Sequence, residues 1–303
     1  MAVASFTVRV PATSANLGPG FDALGLALGL YNTVRVEPAA ALEVVVEGEG
    51  AAALPRDERS LLWRALCAAV ERAGATPPTV RLVCHNRIPL ARGLGSSSAA
   101  IVAGLLAGNR LAGDQLDRNA LLALAVALEG HPDNVTPALL GGVRVCVQGE
   151  GGLSQVAVPL PRPLYAALFV PDHPLPTAEA RRALPATVPL GDAVYNLGRA
   201  ALLVAALATG EYRLLAEATR DRLHQPARAR LFPALPTLLA AARAAGALGA
   251  CLSGAGPSVL ALAESAADAQ RVAGALEAAA AGETVGGHSL VAEVGVGGAE
   301  VSA

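Results

Sequence analysis

The sequence predicts an α+β protein of two domains, on three observations. The chain has 303 residues, long for a single domain. Strand-like alternation and helix-like apolar stripes are mixed along it rather than sorted into blocks. Near the middle, Gly149 to Gly152 breaks the composition and marks either a domain boundary or a hairpin turn. Apolar residues make up 53% and charged residues 16%, enough for a sizeable core; with only 3% aromatic, that core must be built from Ala, Leu and Val.

Ser5 to Val10 alternates as a strand and is expected to stop at Pro11. Residues 11–25 are polar and rich in Gly and Pro, and read as a long loop before a second strand, Leu26 to Val36. Leu42 to Glu47 is a third strand. Ser60 to Ala73 carries Leu61, Leu62, Ala65, Leu66, Ala69 and Val70 on one stripe and is a helix. Thr79 to Cys84 is a strand. Pro89-Leu90-Ala91-Arg92-Gly93-Leu94-Gly95 then forms a loop that opens, with Ser96 as N-cap, into a helix through Leu106. Gln115 to Leu128 is a further helix, expected to end in a capped turn over Glu129, His131, Asp133 and Asn134 before the strand Val143 to Val147.

In the second half, Tyr165 to Val170 is a strand and Thr177 caps a short helix. Ala193 to Leu207, Tyr212 to Leu223 and Leu235 to Ala245 read as helices. Leu248 to Leu252 and Ser258 to Leu262 are strands joined by the tight turn Ser253-Gly254-Ala255-Gly256-Pro257. A helix, Ala266 to Ala280, and a strand, Ser289 to Val294, complete the reading.

Composition narrows the function. A net charge of −2 and scarce aromatics argue against nucleic acid as a partner. Apolar runs such as Ala200 to Ala208 fall short of the ~20 residues that span a bilayer, so no membrane partner is expected. Met1 to Pro11 lacks a basic start followed by an apolar stretch, and Cys67, Cys84, Cys146 and Cys251 fit neither a zinc pattern nor a disulfide framework; a cytoplasmic protein with free thiols is expected. All 23 basic residues are arginine, which removes lysine-based phosphate clamps and Schiff bases.

The order strand, glycine loop, serine-rich helix start suits phosphate, because a helix start offers free N–H groups and a positive dipole end. The serine hydroxyls can add hydrogen bonds or hold a phosphate-bound metal ion. Neither G-x-x-x-x-G-K-[ST] nor G-x-G-x-x-G fits, since there is no lysine and Ser98 stands where the third glycine would be. Each of the other polar clusters has an ordinary reading when taken alone. Asn16 and Asp22 can serve turns, Glu129 to Asn134 can cap a helix end, and Arg181 and Arg228 can be solvated charges.

Four stretches together resemble the motifs of the GHMP small-molecule kinases, in their order and with similar gaps. They are Pro11-Ala12-Thr13-Ser14-Ala15-Asn16-Leu17-Gly18-Pro19-Gly20-Phe21-Asp22, Pro89 to Ala99, Gly130-His131-Pro132-Asp133-Asn134, and Leu252 to Ser258. The finer match is to the homoserine kinases of that family. The resemblance implies an N-terminal domain, residues 1–158, like ribosomal protein S5 domain 2, and a ferredoxin-like C-terminal domain, residues 159–303. It implies ATP bound by Pro89, Leu90, Ala91, Arg92, Gly93, Leu94, Gly95, Ser96, Ser97, Ser98 and Ala99. Magnesium would be held by a helix-start serine, Ser97 by position, and by Glu129; the triple serine keeps Ser96 and Ser98 eligible.

The implied reaction is phosphorylation of L-homoserine by ATP in threonine synthesis, in an enzyme that is usually a homodimer. A carboxylate calls for an arginine fork, and the family pattern puts Arg181 and Arg228 there, with Thr177 opening the same stretch. Asp22 with Asn16 suits the ammonium group, Asn134 with Asn16 the hydroxyl, and His131 lines the pocket. Asp133 is the nearest acidic candidate for a base, although homoserine kinases are usually read as lacking one. Ser60 departs from the family pattern, in which asparagine often stands near the adenine. Two rival readings are a GHMP kinase for another alcohol, such as mevalonate or shikimate, and a non-catalytic nucleotide-binding regulator. The arginine pair with Asp22 favours an amino-acid substrate over the first; intact Ser97, Glu129 and Asn134 argue against the second.

Overall fold

The computed structural model describes residues 5–303; residues 1–4, the start of the expected first domain, lie outside it. The first half runs β1 (Phe6–Ala15), β2 (Leu24–Pro38), β3 (Glu43–Gly48), α1 (Leu61–Arg72), β4 (Val80–Asn86), α2 (Ser96–Leu111), α3 (Arg118–Glu129), α4 (Pro132–Leu140), β5 (Val143–Gly149) and β6 (Gly152–Val158). The second half runs β7 (Tyr165–Pro171), α5 (Thr177–Arg182), α6 (Leu190–Thr209), a 3-10 turn (Tyr212–Leu214), α7 (Leu215–Ala218), α8 (Gln225–Arg228), α9 (Leu235–Ala244), β8 (Gly249–Leu252), β9 (Val259–Ala263), α10 (Ala266–Gly282), β10 (Gly287–Glu293) and β11 (Glu300–Ser302).

Two sheets result. The first has seven strands in the path β11-β1-β2-β4-β3, with β5 and β6 carried on the near end of β2; only β3 and β4 pair in parallel. The second is antiparallel, in the order β10-β7-β9-β8, and is backed by α9 and α10. The larger core gathers Val8, Leu28, Val36 and Leu82 from the first sheet with Leu66, Ile101, Leu105 and Leu139 from α1, α2 and α4. A second core places Phe169, Val259 and Ala261 against Leu238, Val272 and Leu276. Helices α1 and α2 pack closely through small residues. A Cβ at Gly104 or Gly108 of α2 would lie 2.3 Å from the carbonyl oxygen of Leu62 or Leu66 on α1. The four cysteines are unpaired, as expected.

Several elements differ from the sequence reading. β1 does not stop at Pro11. It continues to Ala15 through a register shift against β2 at Pro11/Ala12, a place where a missing N–H is tolerated. Gly149 to Gly152 turns the β5–β6 hairpin, and β6 escaped the reading because most of it is exposed. The expected turn at 131–137 is mostly helix: Pro132 occupies the first position of α4, where it has no N–H to lose. Tyr212 to Leu223 is not one helix. The Asp221 carboxylate accepts the N–H groups of Leu223, His224 and Gln225 and ends the run. Gly95 rather than Ser96 caps α2, and Pro176 rather than Thr177 caps α5. The short β11 pairs with β1, so the last strand belongs to the first sheet. Finally, α6 is long and apolar enough to cross a membrane by length and composition, although Asp192 and Arg199 interrupt the apolar run. It lies on the surface with Leu190, Val194 and Leu197 exposed.

Candidate active site

A cavity of about 520 Å³ lies between the two sheets, a volume suited to a small ligand. One end is apolar, with Val34, Val44, Val46, Leu54 and Leu90 beside Ser60. The middle is the 89–97 loop and the start of α2. The far end gathers Asn16, Asp22, His131, Asp133, Asn134, Thr177, Arg181 and Arg228. These residues come from both halves of the chain, and every site residue expected from the sequence lines the cavity except Ser98, which is fully buried behind it.

The middle section is built by close approach. Gly95 caps α2 in the left-handed region, at φ 71°, and a Cβ there would fall 1.9 Å from Thr13 Oγ1. At Gly93 a Cβ would fall 2.1 Å from Ser253 O. The Ser253 hydroxyl donates to Gly93 O at 2.7 Å, tying the two glycine loops together. No side chain caps α2, so its first N–H groups are free to meet an anion. Arg92 turns its guanidinium to the carbonyls of Leu90, Pro171 and Asp172, and so acts as a strap to β7. Ser97 and Ser98 both donate to Glu129 Oε1, at 2.7 and 2.8 Å. Glu129 is the last residue of α3, and Gly130 ends that helix in the left-handed region. Hydroxyl and carboxylate oxygens suit a hard divalent cation. Among the described residues no cluster of three or more His, Cys, Asp and Glu side chains could hold a metal, so an ion here would depend on phosphate oxygens and water as well, which fits magnesium.

At the far end, Asn134 sits in the first turn of α4, and Thr13 Oγ1 donates to its Oδ1 at 2.8 Å. Asp133 is buried, with Oδ1 2.6 Å from His131 Nδ1. Burial disfavours the His131 imidazolium, but the Asp133 hydrogen bond and charge outweigh it and raise the His131 pKa. Asn16 and Asp22 both have left-handed backbones, at φ 68° and 55°, strain of the kind held at functional loops. The Asn16 carboxamide donates to Gly254 O and accepts from the Asp22 N–H, leaving one Oδ1 lone pair for a ligand.

Arg181 grips Asp22 in a two-pronged pair, at 2.7 and 3.0 Å; the sequence reading assigned these two residues to opposite groups of the substrate. Arg228, expected on its own to be solvated, is 2% exposed. Its Nη1 donates to Gly254 O and His224 Nδ1, while its buried Nε has no partner among the described residues. Burial first, then the charge of Arg181, lowers its pKa to about 10, so it stays cationic. The Phe21 ring lies 5.6 and 5.5 Å from the Arg181 and Arg228 guanidinium carbons. Sequence reasoning assigned no role to Thr13, Phe21, Ser253 or His224; the first three lie inside the motif stretches, and His224 adjoins Arg228 by one helical turn.

Burial depresses the His224 pKa to about 4. In the unfolded chain an imidazole takes its proton near pH 6.5. The stability held by the neutral form is therefore present above 6.5 and lost as pH falls towards 4. Between pH 7.5 and 5 the wild type is expected to lose about 2 kcal/mol by this route, and a His224→Gln variant is expected to lose that much less. Urea unfolding at the two pH values measures the difference.

Comparisons with known proteins give the family and the fold. Residues 60–142 match the family model described as GHMP kinases N terminal domain, and residues 203–282 match the one described as GHMP kinases C terminal. The homoserine kinase of Desulfitobacterium hafniense is 50% identical over 258 residues, 85% of this chain and 87% of that one. The homoserine kinase of Gloeobacter violaceus is 52% identical over 259 residues, 84% and 86% of the two chains. Among solved structures, a homoserine kinase from Cytophaga hutchinsonii matches with a TM-score of 0.89 and 32% identity, covering 98% of this chain and 97% of that one.

Proposed function

The chain belongs to the GHMP kinase family, and from that premise we propose that it transfers the γ-phosphoryl group of ATP to the terminal hydroxyl of L-homoserine, giving O-phospho-L-homoserine and ADP in threonine synthesis. The observation that carries this reading is the joining of a free helix start and an Asp22, Arg181, Arg228 cluster in one cavity. That cluster complements both charged ends of an amino acid.

The assignment of roles follows from chemistry. The apolar end of the cavity takes the adenine, and the 89–99 stretch takes the phosphates on main-chain N–H groups and serine hydroxyls. Ser97 and Glu129 would hold Mg2+, which would neutralise charge on the phosphates. The substrate carboxylate meets the Arg228 guanidinium and the Arg181 fork, and the ammonium meets Asp22. The zwitterion thus exchanges with the Asp22–Arg181 pair, and an alcohol bearing only one charge would leave one partner of that pair stranded. Asn134, steadied by Thr13, orients the hydroxyl for attack, with Asn16 beside it. Phosphoryl transfer asks mainly for positioning and charge neutralisation.

Asp133 is engaged with His131. The hydroxyl proton therefore passes to an oxygen of the transferring phosphoryl group and on to water, while Asp133 holds His131 in place. Asp133→Asn is expected to cost less kcat than Asn134→Ala, by about tenfold. Steady-state rates of the two folded variants check this, and complete loss in Asp133→Asn would make that carboxylate the base.

The proposal extends to organisation. Of the expected domains 1–158 and 159–303, the first binds ATP and takes back β11 from the end of the chain into its sheet, and the remainder of the second half is the C-terminal domain, in a cytoplasmic homodimer. The exposed stripe Leu190, Val194 and Leu197 on α6 (79, 59 and 70% exposed) supports a second copy as its cover. The direct test is product identity. With Mg-ATP and L-homoserine, 31P NMR is expected to show a phosphomonoester appearing in step with ADP; ADP appearing with free phosphate instead would mean hydrolysis and would overturn the reading.

A further inference from the structure

We propose that His224 is a positioning residue that locks Arg228 at the carboxylate end of the cavity by bridging it to the loop that carries Asn16 and Asp22. The inference rests on the homoserine reading above and adds a specificity device to it. His224 is 1% exposed and does not line the cavity, so it acts only through its neighbours.

Its two ring nitrogens face opposite chemistry. Nδ1 lies 3.0 Å from Arg228 Nη1, and a guanidinium can only donate. Nε2 lies 2.7 Å from Gly18 O, and a carbonyl can only accept. One tautomer satisfies both: bare Nδ1, protonated Nε2. The ring is thus a rigid strut between residues 18 and 228, distant in sequence and adjacent at the site. Its own place is set from three sides. The buried Asp221 carboxylate accepts the His224 N–H along with those of Leu223 and Gln225, and Asn196 Nδ2 donates to the same carboxylate. Gln225 Oε1 accepts from the Leu252 N–H and pins the start of α8 to β8. The Phe21 ring, which also neighbours both guanidinium groups, lies 5.5 Å from the imidazole.

A free arginine stem samples many rotamers, and ordering it on ligand binding weakens the complex. With Nη1 held by His224 and Gly254 O, the stem is ordered before the substrate arrives and the guanidinium is already placed at the cavity wall. Losing the strut should therefore act chiefly on the carboxylate, because Asn16 and Asp22 keep their own hydrogen bonds to Gly254 O, to each other and to Arg181. Glutamine can replace it, because its amide oxygen accepts and its amide nitrogen donates at a spacing close to that of the ring nitrogens. Asparagine is too short to reach Gly18, and leucine can do neither.

The test is steady-state kinetics of the full chain and its His224→Leu, His224→Asn and His224→Gln variants. L-Homoserine, ATP and 3-aminopropan-1-ol, which lacks the carboxylate, are varied in turn. His224→Leu is expected to raise the KM for L-homoserine at least about tenfold, with a smaller change in kcat; the KM for ATP and the kcat/KM for 3-aminopropan-1-ol should stay within about twofold, and His224→Gln should recover wild-type KM within about threefold. Should His224→Leu not fold, the Asn and Gln variants carry the comparison, with the higher KM expected for Asn. An unchanged KM for L-homoserine, an equal loss with 3-aminopropan-1-ol, or a glutamine variant no better than the others would overturn the proposal. A wild-type protein inactive on L-homoserine would instead remove the parent reading, and this one with it, before any variant is compared.

Discussion

Replacing Glu129 with alanine is expected to lower kcat by about a thousandfold while leaving the fold intact. Glu129 ends α3 at the surface of the cavity and is not one of the residues that build the larger core. Its carboxylate is instead the shared acceptor of Ser97 and Ser98 at the start of α2. Removing it takes away the one carboxylate beside the expected phosphate position. Because the chain has no lysine and Arg92 is spent on main-chain carbonyls, little else is available to compensate. Two measurements separate this from a structural effect: thermal unfolding should shift little, and the Mg2+ concentration for half-maximal activity should rise. A Glu129→Ala enzyme with near-normal kcat would move the metal to another donor set.

The second large effect is expected at Arg228. Arg228→Ala should lower kcat/KM for L-homoserine by about a hundred- to a thousandfold, chiefly through KM, with little change in KM for ATP. That range corresponds to about 3–4 kcal/mol, the scale of truncating a buried, hydrogen-bonded charge. The side chain is 2% exposed, lines the cavity, and donates to Gly254 O and His224. Its removal also leaves the buried His224 Nδ1 without a donor, while Gly254 O keeps the Asn16 carboxamide, so a stability loss of about 1–3 kcal/mol should accompany the kinetic effect. Arg181→Ala should be milder. Arg181 is half-exposed, and its loss frees Asp22 for the ammonium group even as it weakens the carboxylate grip. Equal effects of the two substitutions would mean that the two guanidinium groups share the carboxylate evenly, and a larger effect at Arg181 would move the carboxylate onto it.

The legible parts of this molecule were those in which local pattern and tertiary structure agree. The stripe Leu62, Ala65, Leu66, Ala69 and Val70 is the buried face of α1, and the β8–β9 hairpin follows from the glycine-rich turn between two apolar runs. α4 was hidden because Pro132 and Pro137 read as breakers, yet the first stands where no N–H is needed. β11 was hidden because a three-residue strand carries no periodicity. At the site, the motif stretches marked the loops but not the pairings. Asp22 and Arg181 are 159 positions apart, and His224 and Gly18 are 206 apart. No spacing in a sequence reveals that a bidentate pair will form, or that a lone histidine between Leu223 and Gln225 will choose its tautomer from a carbonyl in the first loop. Burial of Arg228 was likewise invisible, since an arginine in a polar stretch between two helices, His224 to Arg230, reads as surface until both domains are assembled around it.

The central claim is that Asp22, Arg181 and Arg228 select a zwitterionic amino alcohol for phosphorylation. The most direct measurement is ADP release from Mg-ATP in the presence of L-homoserine, mevalonate, shikimate, galactose, or no acceptor. The account predicts saturable release with L-homoserine alone. Release with mevalonate, shikimate or galactose at a comparable kcat/KM, or tight ATP binding with no release under any condition, would contradict it.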